Sequence, residues 1–275
     1  MTAPRTRVAQ HYSSSTRGSA VSTLWRSREL LLSLVARDLK VKYQRSVLGL
    51  VWTLLNPIMM VLVLVTVFSY VIRIRVDSFW AFLISGFFVW RFISQSLTSS
   101  TLILRGHATL RRSVAFPSEV LILSTLFAKL FEYLIEMAIV LLVLFVFYHQ
   151  AVPATVILLP YLILLQILMT AGLMFPLSVF SVLYYDVEHT LPLVILMFFY
   201  LTPIFYPVTM IPEVVRPYYY LNPFVGLFRL FHMVLYEGVW PSWTQLGLVS
   251  ATAIGLVVVG YWIFKQFKDV CVEVA

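Results

Sequence analysis

The chain has 275 residues, of which 61% are hydrophobic, 16% aromatic and only 12% charged, and its mean hydropathy is +0.92. A water-soluble domain carries about a quarter charged residues, so a soluble enzyme with one aqueous core is excluded and an integral membrane protein is indicated. The net charge of +8 belongs first to the cytoplasmic flanks of such a protein rather than to nucleic-acid binding, and the single cysteine, Cys271, excludes an intrachain disulfide and a cysteine-built metal site.

Residues 1–21 are polar and Arg-bearing, without the short apolar core of a secretory signal, and read as a disordered cytosolic tail. From 22 to 47 the helical projection is two-faced. Trp25, Leu32, Ala36, Leu39 and Tyr43 share one side, and Arg26, Ser33, Arg37, Lys40 and Gln44 share another, which predicts an amphipathic helix lying in the membrane interface. Arg28 and Lys42 sit near its apolar edge and have to snorkel.

Charge-free runs then set the spans, because about 20 apolar residues cross the hydrocarbon core. The first occupies about 48–72, within 27 uncharged residues between Arg45 and Arg73, with Asn56-Pro57 as a kink site. The second runs over about 79–104 and contains Arg91. The third, about 121–147, holds Lys129, Glu132 and Glu136. From Met137 to Tyr185 there are 49 residues without Asp, Glu, Lys or Arg, too many for one crossing. A polar, Pro-containing turn at 148–153 divides them and gives a fourth span over about 155–183. The fifth and sixth fall at about 190–211 and 243–264.

Six spans put both termini on one side. That side collects fourteen Lys and Arg, the other four, so both termini are predicted to be cytoplasmic. Residues 212–240 are too apolar for a free loop, yet their apolar stretches are too short to span, which predicts an external re-entrant helical hairpin between spans five and six. After Asn222-Pro223 its helix would carry Phe224, Leu227, Phe228 and Phe231 on one face and Arg229, His232 and Tyr236 on another. The fold class is therefore an all-α integral membrane protein with an N-terminal interfacial helix, six transmembrane helices over 48–275 and that hairpin.

The usual ATPase and hydrolase motifs do not occur. No Gly-Lys dipeptide is present, so there is no P-loop, and neither His-Glu-x-x-His nor Gly-x-Ser-x-Gly is found. The five histidines, at 11, 107, 149, 189 and 232, have no ligand-like spacing. No metal site or cofactor is expected in this chain, and its energy must come from a partner, a gradient or the substrate.

The run from Arg37 to Pro57, with Gly49-Leu50-Val51-Trp52 and Asn56-Pro57 inside it, resembles the start of the membrane subunit of polysaccharide-exporting ABC transporters, the O-antigen and teichoic-acid permeases. Three further blocks are similar to the same family: Val114-Ala115-Phe116-Pro117, Tyr184 to His189, and Tyr200 to Pro207 with Leu221-Asn222-Pro223-Phe224. The likeness covers about 35–268. It implies a permease in the bacterial cytoplasmic membrane, not an enzyme in itself. Two copies would dock two cytosolic subunits that bind ATP and Mg, and together they would move an undecaprenyl-pyrophosphate-type lipid-linked polysaccharide outward among the membrane lipids.

By that resemblance 105–119 is a cytosolic coupling loop, with Arg105, Arg111, Arg112, Phe116 and Pro117 contacting the ATPase and Asp186 and Glu188 facing it from the next cytosolic turn. Trp52, Phe198, Phe199, Tyr200, Phe205, Tyr206, Tyr218, Tyr219 and Tyr220 would contact the glycan, since aromatic faces suit sugar rings that must slide; an interfacial aromatic belt is the plainer reading. Arg37, Lys40, Lys42 and Arg45 could attract the lipid pyrophosphate or anionic lipid. Lys129, Glu132 and Glu136, at i, i+3 and i+7, share one helix face and read as an intramembrane ion-pair cluster that can include Arg91, with a proton relay as the sharper option. Alternatives stay open at this level: a drug or small-lipid ABC permease, a gradient-driven transporter using those carboxylates, or an intramembrane glycan-modifying enzyme.

Overall fold

Long apolar runs can satisfy their backbone polar groups in lipid only as helices, and the computed structural model, which describes residues 27–43, 50–106, 118–149, 153–268 and 270–271, consists there of helices joined by turns and short irregular stretches. Side chains at 50–53, 105, 106 and 149 fall outside that description. In chain order the α-helices are α1 (Arg28–Tyr43), α2 (Leu50–Thr66), α3 (Phe79–Gly106), α4 (Ser118–Leu144), α5 (Leu159–Leu183), α6 (Asp186–Tyr200), α7 (Arg216–Tyr219), α8 (Pro223–His232) and α9 (Trp243–Phe267). One π-helical turn prolongs each of α2, α4 and α8, and a 3-10 turn over Ala154–Leu158 leads into α5.

The boundaries have local causes. Asn222 caps α8, its side chain accepting from Phe224 N, with Pro223 at the first helical position. Ser242 caps α9 through a capping box with Gln245. Gly238, at φ 66°, closes the π turn after α8 in the left-handed conformation that glycine adopts without strain. α2 continues through Pro57.

Among the described residues four helices are long and apolar enough to cross a membrane: 54–71, 118–148, 154–183 and 243–267. The chain is an all-α, multi-pass membrane protein. α3 has 28 residues, ample length for a crossing, but Arg91 and the polar run from Ser94 to Thr101 make it less apolar. Three of its hydroxyls are reconciled with burial inside the helix itself: Ser85, Ser100 and Thr101 donate to the carbonyls of Phe82, Leu97 and Thr98.

α5 packs along α9 and against α3, and α3 against α4, which in turn carries α1. The α5–α9 crossing brings backbone to backbone. A Cβ added at Gly260 would lie 1.8 Å from the Gly172 carbonyl oxygen, and one at Gly172 would lie 2.6 Å from the Leu256 carbonyl carbon. Small residues allow this approach where no hydrophobic effect drives helices together. α2 is the opposite case, with 6% of its 54–71 segment buried.

Three differences from the sequence reading have physical causes. The fifth apolar segment, 190–211, is helical only to Tyr200; residues 201–207 then fold back irregularly with Thr202, Ile204 and Phe205 buried, because Pro203 and Pro207 cannot donate to a continuing helix. In α8, Phe224, Leu227, Phe228 and Phe231 are buried as the projection requires, but His232, assigned to the polar face, is 2% exposed and stacks on Phe82 with ring centroids 4.0 Å apart. On α1 the side toward the bundle coincides with the apolar stripe only in the last turns, where Tyr43 reaches Glu132 of α4. Leu34 is buried and Leu30 and Leu31 pack on the core, while Leu32, in the stripe, is 64% exposed.

Candidate functional site

Three groupings gather the side chains singled out above. The first is a polar cluster shared by α1, α3 and α4. The i, i+3, i+7 spacing places Lys129, Glu132 and Glu136 along one face of α4, and Glu132 and Glu136 are 4% and 3% exposed. Arg91 of α3 reaches Glu136 with Nη2 3.3 Å from Oε1. The same guanidinium donates from Nη2 and Nε, at 3.0 and 3.2 Å, to the Gln95 side-chain oxygen once that amide is oriented to satisfy both groups. Lys129 lies 3.7 Å from Glu132 Oε2. Glu132 Oε1 takes partners from a different element: Lys42 Nζ donates at 2.7 Å and Tyr43 Oη at 3.1 Å.

Lys42 therefore separates from the basic group of α1 in which the sequence placed it. Arg37 turns back on its neighbour, with Nη2 2.9 Å from Asp38 Oδ1, and Lys40 is exposed. Arg45 lies outside the described residues. A cavity of about 200 Å³ opens between the three helices, lined among others by Asp38, Lys42, Ser99, Thr125, Lys129 and Glu132.

The second grouping follows α6. Phe199 packs on Tyr200 and on Phe205, each at 5.4 Å between ring centroids, and Phe205 on Tyr206 at 5.0 Å. The Tyr206 hydroxyl donates to the Tyr200 carbonyl at 2.6 Å and meets the Tyr219 hydroxyl at 2.6 Å. Burial, and then the hydrogen bond with Tyr206, raise the Tyr219 hydroxyl far above the usual phenol range, so it stays neutral. Phe198 turns instead toward Phe224 of α8, 6.1 Å away. Tyr218 and Tyr220 stand outward, 73% and 57% exposed. Trp52 lies on α2, with its side chain outside the described residues.

Asn222, missed as a site residue, ties this region together. While its oxygen caps α8, its Nδ2 donates at 3.0 Å to both the Leu201 carbonyl and Thr202 Oγ1. The dipeptide Asn222-Pro223 was a helix-start signal in the sequence, but nothing in the spacing pointed to a partner twenty residues earlier. At the other end of α8, Tyr236 stacks on Tyr148 and donates to the Asp77 carbonyl; burial, and then the neighbouring Tyr148, push its hydroxyl up to about 12.

The third grouping is the set predicted to meet an ATPase. Arg111, Arg112, Phe116 and Pro117 lie outside the described residues, as does the Arg105 side chain. Asp186 and Glu188 occupy the first turn of α6, where the helix dipole favours negative charge. Next to these residues in the chain, Lys268 Nζ donates to Glu119 Oε1 at 3.0 Å and so joins the end of α9 to the start of α4. Among the described residues no group of three or more His, Cys, Asp and Glu is arranged to hold a metal ion.

Comparison with known proteins concerns the chain as a whole. The family model described as ABC2_membrane, ABC-2 type transporter, matches residues 29–236, from the first turn of α1 to the π turn after α8. An O-antigen export system permease protein, RfbA, of Myxococcus xanthus is 31% identical over 251 residues, covering 90% of this chain and 96% of that protein. Two proteins of the same description from Klebsiella pneumoniae are 28% and 27% identical over 240 residues, each covering 87% of this chain and 92% of the relative.

Proposed function

This chain belongs to the ABC-2 type transporter family, and on that premise we propose that it is the permease subunit of an exporter carrying a lipid-linked polysaccharide, an O-antigen or similar cell-surface glycan, outward across a bacterial cytoplasmic membrane. The observation that carries the reading is similarity along nearly the whole length to three O-antigen export permeases. The chain has no P-loop, so ATP is bound and hydrolysed by separate cytosolic subunits, which dock on the 105–119 loop and on the turn at Asp186 and Glu188.

In this reading six segments span the membrane, both termini are cytoplasmic and 212–240 re-enters from outside. The excess of Lys and Arg on one side supports the orientation. Two copies form the working permease. The exposed apolar side chains of α2, among them Leu55, Ile58, Met59 and Leu62, support a surface that a second copy or lipid must cover. The glycan slides past the rings around Phe199, Tyr200, Phe205 and Tyr206, with Trp52, Tyr218, Tyr219 and Tyr220 completing the path, and Arg37, Lys40, Lys42 and Arg45 attract its lipid pyrophosphate. The pairing of Arg91 with Glu136 and of Lys42 and Lys129 with Glu132 favours a structural ion-pair cluster over a proton relay.

The test is depletion of the protein, with lipid-linked glycan measured on each face of the cytoplasmic membrane and a strain with an ATPase-dead partner as comparison. Accumulation on the cytosolic face in both strains is the expected result. A normal distribution would overturn the polysaccharide assignment in favour of a drug or small-lipid exporter of the same family.

A further inference from the structure

We propose that Glu132 latches the interfacial helix α1 to α4 and that Lys42 and Tyr43, which close the latch, are positioning residues for export. The transport consequence rests on the exporter reading above; the latch itself does not.

The carboxylate is the fixed half of the contact. Glu132 is 4% exposed whereas Lys42 is 41% exposed, so α1 brings its cation to a buried anion. Two consecutive residues from the last turn of α1 converge on one oxygen, Lys42 at 2.7 Å and Tyr43 at 3.1 Å. Neighbouring residues on a helix diverge by about 100°, so both reach Oε1 only because the carboxylate sits between them at the helix end. Of the two, only the Lys42 ammonium carries a charge to match the carboxylate, so the contact depends on it. Lys129, 3.7 Å from the other oxygen, keeps a cation on Glu132 when Lys42 departs, so the buried charge is not abandoned and the latch can open and close.

The rest of α1 is held unevenly. Its first half is seated by Leu30, Leu31 and buried Leu34, while its second half lies over the cavity lined by Asp38, Leu39 and Lys42 on its own side and by Ser99 and Thr125 on the other. Opening the latch thus frees the half of α1 that leads toward α2, with the leucine-seated half as pivot. In the exporter this fixes where the basic interfacial helix stands beside the first span.

A nitroxide on Val41→Cys tests the latch in the purified full-length protein. Val41 is 68% exposed and the native Cys271 is buried, so the label reports α1 alone, and an unlabelled parent checks that Cys271 stays unreactive. The parent spectrum should contain an immobilised component that Lys42→Met and Glu132→Gln each lose. Lys42→Arg should retain it, as should Arg28→Met, which removes one charge from the far end of the same helix. An immobilised component that survives Lys42→Met, or that Arg28→Met abolishes equally, overturns the latch. Glu132→Gln disturbs a buried site, so if it fails to fold, Lys42→Met carries the test.

Proteoliposomes containing the ATPase subunits then give the functional reading. Glycan exported per ATP should fall in Lys42→Met and not in Arg28→Met; an unchanged ratio removes the positioning role. If the label behaves as expected but no glycan moves even in the parent, the exporter reading fails and the latch stands.

Discussion

Arg91 and Glu136 bring two charges into a nearly closed interior, with Gln95 holding the guanidinium from its own helix. Such a pair contributes little net stability, because desolvation cancels most of the attraction, but removing one member strands the other. Arg91→Met should therefore lower stability by about 3–5 kcal/mol, and Arg91→Met with Glu136→Leu should recover most of it; thermal unfolding in detergent would show both. A double variant as unstable as the single one would mean that the pair fixes the geometry in a way apolar packing cannot replace. The face shared by Lys129, Glu132 and Glu136 is legible from spacing, because α-helical period alone sets it. The partner of Lys42 is not. A cation on the apolar edge of α1 was the available signal, yet no local rule ties it to a carboxylate ninety residues on.

Among the elements, α8 shows how a short helix is built into a membrane fold. Asn222 caps it and also donates to Leu201 and Thr202, so one side chain joins its start to the irregular stretch after α6. Asn222→Ala should lose the cap, about 1 kcal/mol, together with both donated bonds. Asn222→Asp keeps the cap and loses only the donors, so hydrogen exchange at 201–207 should rise in both variants, while fraying of α8 should appear only with Ala. The α5–α9 contact makes a sharper demand. Gly260→Val puts side-chain atoms where the Gly172 carbonyl stands, and should cost more than the roughly 1–3 kcal/mol of ordinary overpacking. Gly247→Ala, with nothing within 4 Å of the added Cβ, should stay within about 0.5 kcal/mol of the parent. A melting series of the two variants checks the contrast.

For the whole molecule, the family places a permease in the membrane, and the function proposed above has its ATPase subunits dock on residues 105–119. Lys268 on Glu119 braces the start of α4 against the end of α9. Replacing Arg111 and Arg112 by Glu should abolish co-purification of the ATPase subunit while leaving the helical bundle and its thermal transition unchanged. Retained co-purification would take the docking role from these residues and leave them as ordinary positive-inside charges.

The sequence by itself determined the membrane class, the main apolar helices, the face of α4 that carries the charges and the family. Each rests on signals that local chemistry carries: hydropathy over about 20 residues, a 3.6-residue period and short motifs. Tertiary structure decided what those faces meet. It turned His232 inward onto Phe82, ended the fifth apolar segment at Tyr200, brought α5 and α9 into backbone contact, and gave Glu132 a lysine and a tyrosine from α1. These outcomes depend on shape and charge matching between segments far apart in the chain, which periodicity within one segment does not encode.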